Sequence, residues 1–412
     1  MAGLTRAPKP QTEAWWDVDI GRIESRQDRS CPVCGNSMRM MVDLPRYPLT
    51  EIYEPYRADT FANVGFVDQA FLFCEGCSHG KLETVISTTF LYEHYRTATA
   101  SSIGSINAIR NFQAFVVSSL NVDDFDTIVD IGANDATLLS TFSAMGKQCV
   151  AIDPNTDKRL EDEFGIRVMS DFIENVDLAA LGSSRKLFLC SHTLEHIDQP
   201  SSVLSNLRDS MSDGDVCVFQ FPSLDLLVRD ARFDQIHHQH VHYFSERSIS
   251  LLLERGGFEV GATKFDPDHY GTLMVVFSPA SRTRSNGVGR SIPATVITER
   301  KAVFDADVGA VNFRMATGTR KLIAFGAGLM LPLVAYYIPA LELVECIVDE
   351  DPAKEGLRFI NFNKRITRLS DVNLAGRDIV VTAIATKLAM RRILTKLFAL
   401  NVENVIIPLS QL

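Results

Sequence analysis

Four of the eight cysteines stand in two CxxC pairs near the start of the chain, at Cys31, Cys34, Cys74 and Cys77. Each pair makes a tight turn whose two thiolates can converge on one ion, and two such turns complete the tetrahedral shell that zinc prefers. A closed shell of four thiolates leaves no position for a substrate, so the predicted zinc is structural. His79 is a further candidate ligand that four cysteines make unnecessary. The other four cysteines stand singly in apolar runs and are expected to pack as small hydrophobic residues.

The run DIGAND at residues 130–135 follows the apolar residues TIV and opens a helical segment. A glycine at the end of a first strand lets the backbone pass close to a ligand before the helix begins. Only one glycine stands here, where a dinucleotide site would have two or three, so pyrophosphate binding is not favoured. The loop instead resembles the first loop of S-adenosylmethionine (SAM)-dependent methyltransferases. We expect four of its residues to contact that cofactor: Asp130, Gly132, Asn134 and Asp135.

Three later strand-like runs also end in polar residues. Asp153 ends the second run, where an acidic residue accepts hydrogen bonds from ribose hydroxyls; the alternative is a helix cap before the proline that follows. After the third run, Asp171 can meet an adenine amino group and Phe172 can cover the ring. Ser191 and His192 follow the fourth run, at the edge where doubly wound sheets bind ligands.

Beyond them, Glu195 and His196 begin another helical segment, and a surface position is an equally good interpretation for them. Residues 233–245, FDQIHHQHVHYFS, then hold four of the nine histidines, His237, His238, His240 and His242. Imidazole has a pKa of about 6.5 and is the natural base at neutral pH. A metal site with Asp234 as a carboxylate ligand is the alternative. Flanking apolar residues argue against an exposed tract.

The elements that must position these residues divide the chain into three parts. Residues 1–100 carry the cysteine pairs and are predicted to form a zinc-binding module. Residues 101–298 alternate apolar runs with amphipathic segments, which predicts five βα units and a hairpin in a doubly wound α/β domain. Residues 281–298 are a plausible linker within that stretch, and residues 299–412 repeat the alternation, which predicts a second Rossmann-like domain.

Composition excludes several classes of protein. The 412 residues carry a net charge of −10 without a cluster of Lys and Arg, so no nucleic-acid partner is expected. No apolar run reaches the ~20 residues that span a bilayer, and the first residues lack a signal-peptide pattern. We therefore expect a cytoplasmic protein with a small-molecule substrate and no membrane partner.

The motifs together are similar to the sugar C-methyltransferases. The resemblance is carried by CPVC and CEGC, VDIGAND, FDQIHHQHVHYFS, HYGTL, FGAG and VDEDPAKEG, from about residue 31 to about residue 356. That family acts on nucleotide-linked deoxy-keto-sugars. The resemblance implies a structural zinc, SAM in the middle domain, and a nucleotide-sugar between that domain and the C-terminal one.

The resemblance also implies a catalytic segment, which in the family reads Tyr-His-Glu-His. Its final histidine, which takes a proton alpha to the sugar ketone, corresponds to His240. The tyrosine position holds His237 and the glutamate position holds Gln239, and a glutamine cannot stabilise an imidazolium by charge. Gln220 likewise stands where the family has a glutamate. Tyr95 occupies the region of another active-site tyrosine, and a packing role is an equal alternative.

The leading functional hypothesis is SAM-dependent C-methylation of a small, nucleotide-linked keto-sugar through an enolate. One alternative keeps SAM and methylates oxygen or nitrogen of another small acceptor. A second alternative is a non-catalytic relative that binds SAM or a nucleotide and acts as a partner protein. A nicotinamide oxidoreductase is disfavoured because both strand-to-helix loops have too few glycines.

Overall fold

The computed structural model describes residues 23–87, 90–91, 103–268, 271–280, 289–383 and 387–409. They form mixed α/β structure with sheets of seven, five and four strands and two two-stranded ribbons. Within these ranges, no helix combines the length and the apolar character needed to cross a membrane.

The first part of the described chain consists of short strands: β1 (Ser25–Gln27), β2 (Arg39–Pro48), β3 (Tyr53–Pro55), β4 (Phe66–Cys74), β5 (His79–Leu82) and β6 (Thr84–Ile86). β4 pairs antiparallel with β2 and β5, and β1 pairs with β6. Successive side chains of a strand point to opposite faces. Phe71 and Phe73 therefore pack into one hydrophobic cluster, and Ala70 and Leu72 pack into another. Both faces of this small sheet are covered.

The middle part alternates strands and helices: α1 (Ile103–Ser119), β7 (Thr127–Ile131), α2 (Thr137–Ala144), β8 (Gln148–Ile152), α3 (Arg159–Phe164), β9 (Ile166–Met169), β10 (Lys186–Ser191), α4 (Pro200–Ser210), β11 (Val216–Pro222), α5 (Leu224–Arg229), β12 (His242–Tyr243), α6 (Glu246–Arg255), β13 (Phe258–Asp266) and β14 (Thr272–Pro279). All five residues of β7 are buried, as expected for a central parallel strand with helices on both faces. The sheet order is β13-β14-β11-β10-β7-β8-β9, with five parallel strands and an antiparallel hairpin. The predicted α/β pattern of this part is confirmed.

The order of the parallel strands determines where a ligand can bind. From β7 the chain proceeds outward through β8 to β9, then returns to the other side of β7 as β10. The loops after β7 and β10 consequently diverge and leave a crevice at the carboxyl ends of the strands. The connection from β9 to β10 contains two short 3-10 turns, Ile173–Asn175 and Leu178–Leu181, instead of an α-helix.

The last part contains α7 (Ala294–Thr317), β15 (Leu322–Phe325), α8 (Leu331–Tyr337), β16 (Val344–Val348), β17 (Leu357–Phe359), β18 (Ile366–Thr367), β19 (Asp378–Val381), α9 (Lys387–Ala399) and β20 (Asn404–Ile406). Its parallel sheet has the order β18-β16-β15-β19-β20. The classification of this part as a second Rossmann-like domain stays a prediction. α7 begins at Ala294, within the predicted linker 281–298, of which residues 281–288 lie outside the described ranges.

Strands of one predicted part pair with strands of another. β12 of the histidine segment pairs with β5, and β17 of the last part pairs with β3. The predicted boundaries 1–100, 101–298 and 299–412 stay predictions. The N-terminal strands nevertheless connect both α/β parts by backbone hydrogen bonds.

Candidate active site

The loop after β7 is held against the end of β8. Gly132 has a φ of +80°, a conformation that strains any residue with a side chain. A Cβ atom there would lie 2.0 Å from Thr193 Oγ1, so the neighbouring loop also requires a glycine. The backbone N–H of Asn134 donates to Asp153 Oδ2 at 3.1 Å. Sequence reasoning explained Gly132 by the ligand alone and missed its contact with Thr193.

A cleft of about 360 Å³ opens at the carboxyl edge of the sheet. Its lining includes four of the predicted cofactor residues together with two from the loop after β10: Gly132, Asp153, Asp171, Phe172, Thr193 and His196. One aromatic ring and a few convergent polar groups in a concave site are typical of small-molecule binding. These residue types fit a nucleoside with its ribose on a carboxylate.

Asp153 does not cap a helix, since α3 begins only at Arg159, and its contact with a ribose stays a prediction. Its Oδ1 accepts a hydrogen bond from the N–H of Asn155 at 2.6 Å, and its Oδ2 accepts the one from Asn134. The carboxylate thereby caps the turn after β8 and also lines the cleft. Asp171 is similarly held, since its Oδ1 accepts from the N–H of Phe172 at 2.7 Å.

Three other predicted cofactor residues, Asp130, Asp135 and Ser191, are not among the residues that line the cleft. Asp130 is buried within β7, and burial together with the nearby Asp153 raises its pKa to about 8. Its Oδ1 has no hydrogen-bond partner among the described residues. Asp135 accepts from Thr137 at the start of α2, and the Ser191 hydroxyl accepts from Gln220 Nε2 at 2.6 Å.

The loop after β10 carries a strained histidine and a buried glutamate. His192 has a φ of +55°, and its Nδ1 lies 3.3 Å from Glu195 Oε1. Glu195 is fully buried, so the surface interpretation for this residue is wrong. His196, whose side chain is 16% exposed, lines the cleft.

Two of the four clustered histidines have structural hydrogen bonds. His238 Nε2 donates to the carbonyl of Tyr47 at 3.1 Å, so its Nδ1 can accept from Gln69 Nε2 at 3.3 Å. His242 Nε2 donates to the carbonyl of Asp198 at 3.1 Å, and its Nδ1 lies 3.2 Å from His79 Nε2. Burial lowers the pKa of both His238 and His242 to about 4. These two rings hold the segment in place as neutral imidazoles.

The other two histidines face each other. The ring centroids of His237 and His240 are 3.8 Å apart. His237 Nδ1 donates to Gln239 Oε1 at 2.8 Å, and the same oxygen accepts from the Thr50 hydroxyl at 3.1 Å. Gln239 therefore orients His237, whereas the resemblance places it as the support of His240. Burial, with His196 nearby, lowers the pKa of His237 to about 3.

His240 connects the histidine segment to the cleft. Its ring packs edge-on against His196, with centroids 4.8 Å apart, and His196 lines the cleft. Burial, with His237 and His196 beside it, lowers the pKa of His240 well below 6.5. At neutral pH its ring is therefore neutral and has a lone pair that can take a proton.

Asp234, the carboxylate considered as a metal ligand, is bonded to an arginine side chain instead. Asp234 is buried and receives two hydrogen bonds from Arg232, at 2.7 and 2.6 Å. A carboxylate that lies near both cleft and histidines is Glu195, which sequence reasoning missed. No signal in a single sequence distinguishes its burial from exposure. Two features of the sequence lie outside the described residues: the predicted catalytic residue Tyr95, and residues 269–270 of the HYGTL run.

The four cysteines of the CxxC pairs converge. Their sulfur atoms all lie within 4.8 Å of one another, and the shortest separations are 3.3 Å between Cys34 and Cys74 and 3.4 Å between Cys31 and Cys77. Sulfurs around a tetrahedral zinc at ~2.3 Å lie roughly 3.8 Å apart, so the set fits that ion. His79 does not join this cluster.

The two cysteine turns have the same backbone geometry. The N–H of Gly35 donates to the carbonyl of Cys31, and the N–H of Ser78 donates to that of Cys74, both at 2.8 Å. Gly35 and Ser78 each have positive φ, +77° and +59°. Each CxxC is thus closed by the fourth residue after its first cysteine, which directs both thiols of the turn inward.

The chain was compared with known protein families and sequences. Residues 92–263 match the family model described as a methyltransferase domain. The C-methyltransferase NovU of Streptomyces niveus is 25% identical over 212 residues, which cover 50% of this chain and 50% of NovU. The chain thus matches about half the length of this curated relative.

The solved structures that match part of this chain include two methyltransferases of low sequence identity. One is a 1,6-didemethyltoxoflavin-N1-methyltransferase of Burkholderia thailandensis, 14% identical with a TM-score of 0.36, covering 54% of this chain and 98% of that one. The other is a putative SAM-dependent methyltransferase of Listeria monocytogenes, 11% identical with a TM-score of 0.33, covering 42% of this chain and 99% of that one. The match over residues 92–263 indicates a methyltransferase domain in the middle of this chain.

Proposed function

We propose that this protein is a SAM-dependent C-methyltransferase of a small, nucleotide-linked keto-sugar. The observation that carries the proposal is the position of His196. Its ring lines the cleft that holds Asp153 and Phe172, and it packs against the ring of His240. His196 therefore lies between the proposed nucleoside site and the neutral imidazole of His240.

The cleft residues would hold SAM through its nucleoside. Asp153 would accept from the ribose hydroxyls, and Asp171 and Phe172 would contact the adenine. When bound, SAM supplies an electrophilic methyl group on a sulfonium. The protein then has to position the acceptor and to remove a proton from it.

The histidine segment provides the base in this proposal. His240 is neutral at neutral pH, because desolvation and the neighbouring histidines lower its pKa. If this base removes the proton from a carbon alpha to a ketone, the C–H electron pair forms an enolate. His237 donates its Nδ1 proton to Gln239, so its Nε2 has a lone pair and His237 is a second candidate base, not a donor to the enolate oxygen.

A structural zinc bound by Cys31, Cys34, Cys74 and Cys77 is the second part of the proposal. Burial raises the pKa of Cys34 to about 11, so a thiolate there needs a cation nearby.

The C-methyltransferase NovU, as a relative over half of the chain, supports the choice of carbon as the methylated atom. The nucleotide-sugar as acceptor rests on the family resemblance of the motifs.

Proton exchange tests this function most directly. The protein is incubated in deuterated water without SAM and with a thymidine-diphosphate-linked deoxy-keto-sugar. We expect deuterium at the carbon alpha to the ketone, and a new carbon–methyl bond once SAM is added. Methylation at oxygen or nitrogen without exchange would favour another acceptor. Binding of SAM without any methylation would favour a partner protein.

A further inference from the structure

Glu195 lies fully buried among three histidine rings. Its Oε1 lies 3.3 Å from His192 Nδ1 and 4.0 Å from Nε2 of both His196 and His240. Neither carboxylate oxygen has a hydrogen-bond partner among the described residues. A buried carboxylate in this state is costly unless a positive charge forms beside it. The arrangement indicates that a positive charge forms beside Glu195 during the reaction.

The tautomer of His196 limits where that positive charge can form. Its Nδ1 lies 2.7 Å from the carbonyl oxygen of Gln239, and a carbonyl can only accept, so Nδ1 carries the proton. The Nε2 of a neutral His196 therefore presents a lone pair toward Glu195. His240 Nε2, at the same distance from Glu195, is the nitrogen that the proposed reaction protonates.

The glutamines of the site do not supply a charge to His240. Gln239 Oε1 accepts from His237 Nδ1 and from the Thr50 hydroxyl, and Gln220 Nε2 donates to the Ser191 hydroxyl. Both side chains are neutral, and their hydrogen bonds orient other groups. The negative charge that stabilises an imidazolium on His240 therefore has to come from a part of the structure other than these two glutamines.

We propose that Glu195 is a positioning residue whose carboxylate stabilises the imidazolium that forms on His240 when it accepts the substrate proton. This inference rests on the proposed function for the identity of the reaction. The loop after β10 thereby supplies the charge that the segment 237–242 lacks. A charge about 4 Å away in a largely buried site interacts much more strongly than one in water.

The proton transfer balances without a further reactant. The substrate C–H bond breaks, its electron pair forms the enolate, and the proton moves to His240 Nε2. The enolate carbon then bonds to the methyl carbon, and the electrons of the S–CH₃ bond remain on sulfur. His240 finally returns its proton to solvent.

The titratable groups that face Glu195 and His240 come from the loop after β10, from β10 itself and from the histidine segment. They are His192, His196, Cys190, His237 and Tyr243. Burial raises the pKa of Cys190 and of Tyr243 well above the usual values, so both are neutral. The imidazoles are therefore the groups whose charge Glu195 controls.

The test compares Glu195→Gln, which removes the charge at constant shape, with Glu195→Asp, which keeps it. Glu163→Gln, an exposed carboxylate on α3, is the matched control. We expect Glu195→Gln to slow SAM-free deuterium exchange by about tenfold or more, because a charge-assisted contact is lost. Glu195→Asp should recover part of the rate, and Glu163→Gln should match the wild type. Equal exchange in wild type and Glu195→Gln overturns the proposal.

A second readout does not require the proposed substrate. Histidine-selective ¹⁵N NMR follows protonation of His240, assigned with His240→Asn, as the pH falls. We expect protonation of His240 at lower pH in Glu195→Gln than in Glu195→Asp or wild type. If wild type shows no exchange with keto-sugars but this difference is present, the proposed function fails and the role of Glu195 stands. An unchanged protonation midpoint overturns the role of Glu195 whatever the substrate.

Metal analysis separates this role from metal binding. Two histidines and a carboxylate can bind a divalent ion. Ligands around a tetrahedral ion at ~2.1 Å lie about 3.4 Å apart, whereas the oxygen-to-nitrogen distances here are 4.0 Å. We expect the metal content to be the same in wild type, Glu195→Gln and Glu163→Gln. A metal ion lost in Glu195→Gln alone would overturn the proposal.

Discussion

His79 Nε2 lies 3.2 Å from His242 Nδ1, and this contact connects the cysteine turns to the histidine segment. His79 follows Cys77 by two residues and begins β5, and His242 begins β12, which pairs with β5. Both rings are buried. The cysteine turns thereby help to position the histidine segment, although none of the four clustered cysteines lines the cleft.

Loss of the cysteine cluster should therefore affect chemistry as well as stability. Cys74→Ser removes one of four zinc ligands and loosens the turn that precedes β5. We expect zinc content near zero, a melting temperature lower by several degrees, and reduced methyl transfer even below that temperature. Zinc analysis, calorimetry and a SAM turnover assay check this. Cys346→Ser, outside the cluster, should keep its zinc; a zinc-free Cys74→Ser protein with normal melting and turnover would contradict the prediction.

Asp153 should contribute strongly to SAM affinity. Its carboxylate is buried and already oriented by two backbone N–H groups. Asp153→Ala removes two charge-assisted hydrogen bonds to the ribose, each worth roughly 1.5–3 kcal/mol. We expect at least about a tenfold loss of affinity for S-adenosylhomocysteine by titration calorimetry. Asp209→Ala, an exposed carboxylate on α4, should bind like wild type. Normal affinity in Asp153→Ala would place the cofactor elsewhere.

The raised pKa of Asp130 predicts a pH dependence of stability. The pKa of this carboxyl is about 8 in the folded protein, against about 3.8 when exposed. Between these values the folded state holds a proton that the unfolded state has lost, so stability falls as pH rises through this window and levels off above about 8. Asp130→Asn cannot ionise and should lack this component.

The measurement is the free energy of unfolding by denaturant, without SAM, at pH 5 and at pH 8.5. Each pKa unit corresponds to about 1.4 kcal/mol, so even a one-unit shift is measurable. We expect Asp130→Asn to gain stability relative to wild type by about 1 kcal/mol or more over this interval. A constant difference between the two proteins would show that Asp130 ionises freely in the folded state.

Local patterns in the sequence predict most of the middle sheet, because each strand there is a short apolar run that ends in a polar residue or a turn. The convergence of Gly132, Asp153, Asp171 and Phe172 follows from the same logic, since parallel strands end at one edge. The pairing of β12 with β5 could not be predicted in this way. Two residues are too few for a periodic signal, and the partner strand is distant in sequence.

The histidine segment shows a second limit. Its composition predicts a site, but four histidines in one run do not reveal which rings are already hydrogen-bonded. His238 and His242 are satisfied by carbonyls of Tyr47 and Asp198, which lie in other parts of the chain. Glu195 is hidden for a similar reason, because its burial depends on three-dimensional packing of the histidine segment over the loop after β10.

The last prediction concerns the division of roles among the histidines. His240→Ala should keep SAM affinity, since His240 is not part of the ribose or adenine wall, and should abolish both deuterium exchange and methyl transfer. His237→Phe should reduce turnover less, because His237 packs against the ring of His240 but does not take the proton in this scheme. His238→Asn is the matched control, because both ring nitrogens of His238 have structural partners, the carbonyl of Tyr47 and the side chain of Gln69. It should lower the melting temperature while the exchange rate at low temperature stays within a few fold of wild type.

The three variants are compared by calorimetric SAM binding, thermal melting and deuterium incorporation on the same keto-sugar. Normal exchange in His240→Ala together with lost exchange in His237→Phe would make His237 the base. Its Nε2 lone pair makes that chemically feasible, because its Nδ1 proton is held by Gln239. Normal methylation in both variants, without any exchange, would mean that no enolate forms. The reaction would then be transfer to an oxygen or nitrogen that needs no carbon acid to be deprotonated.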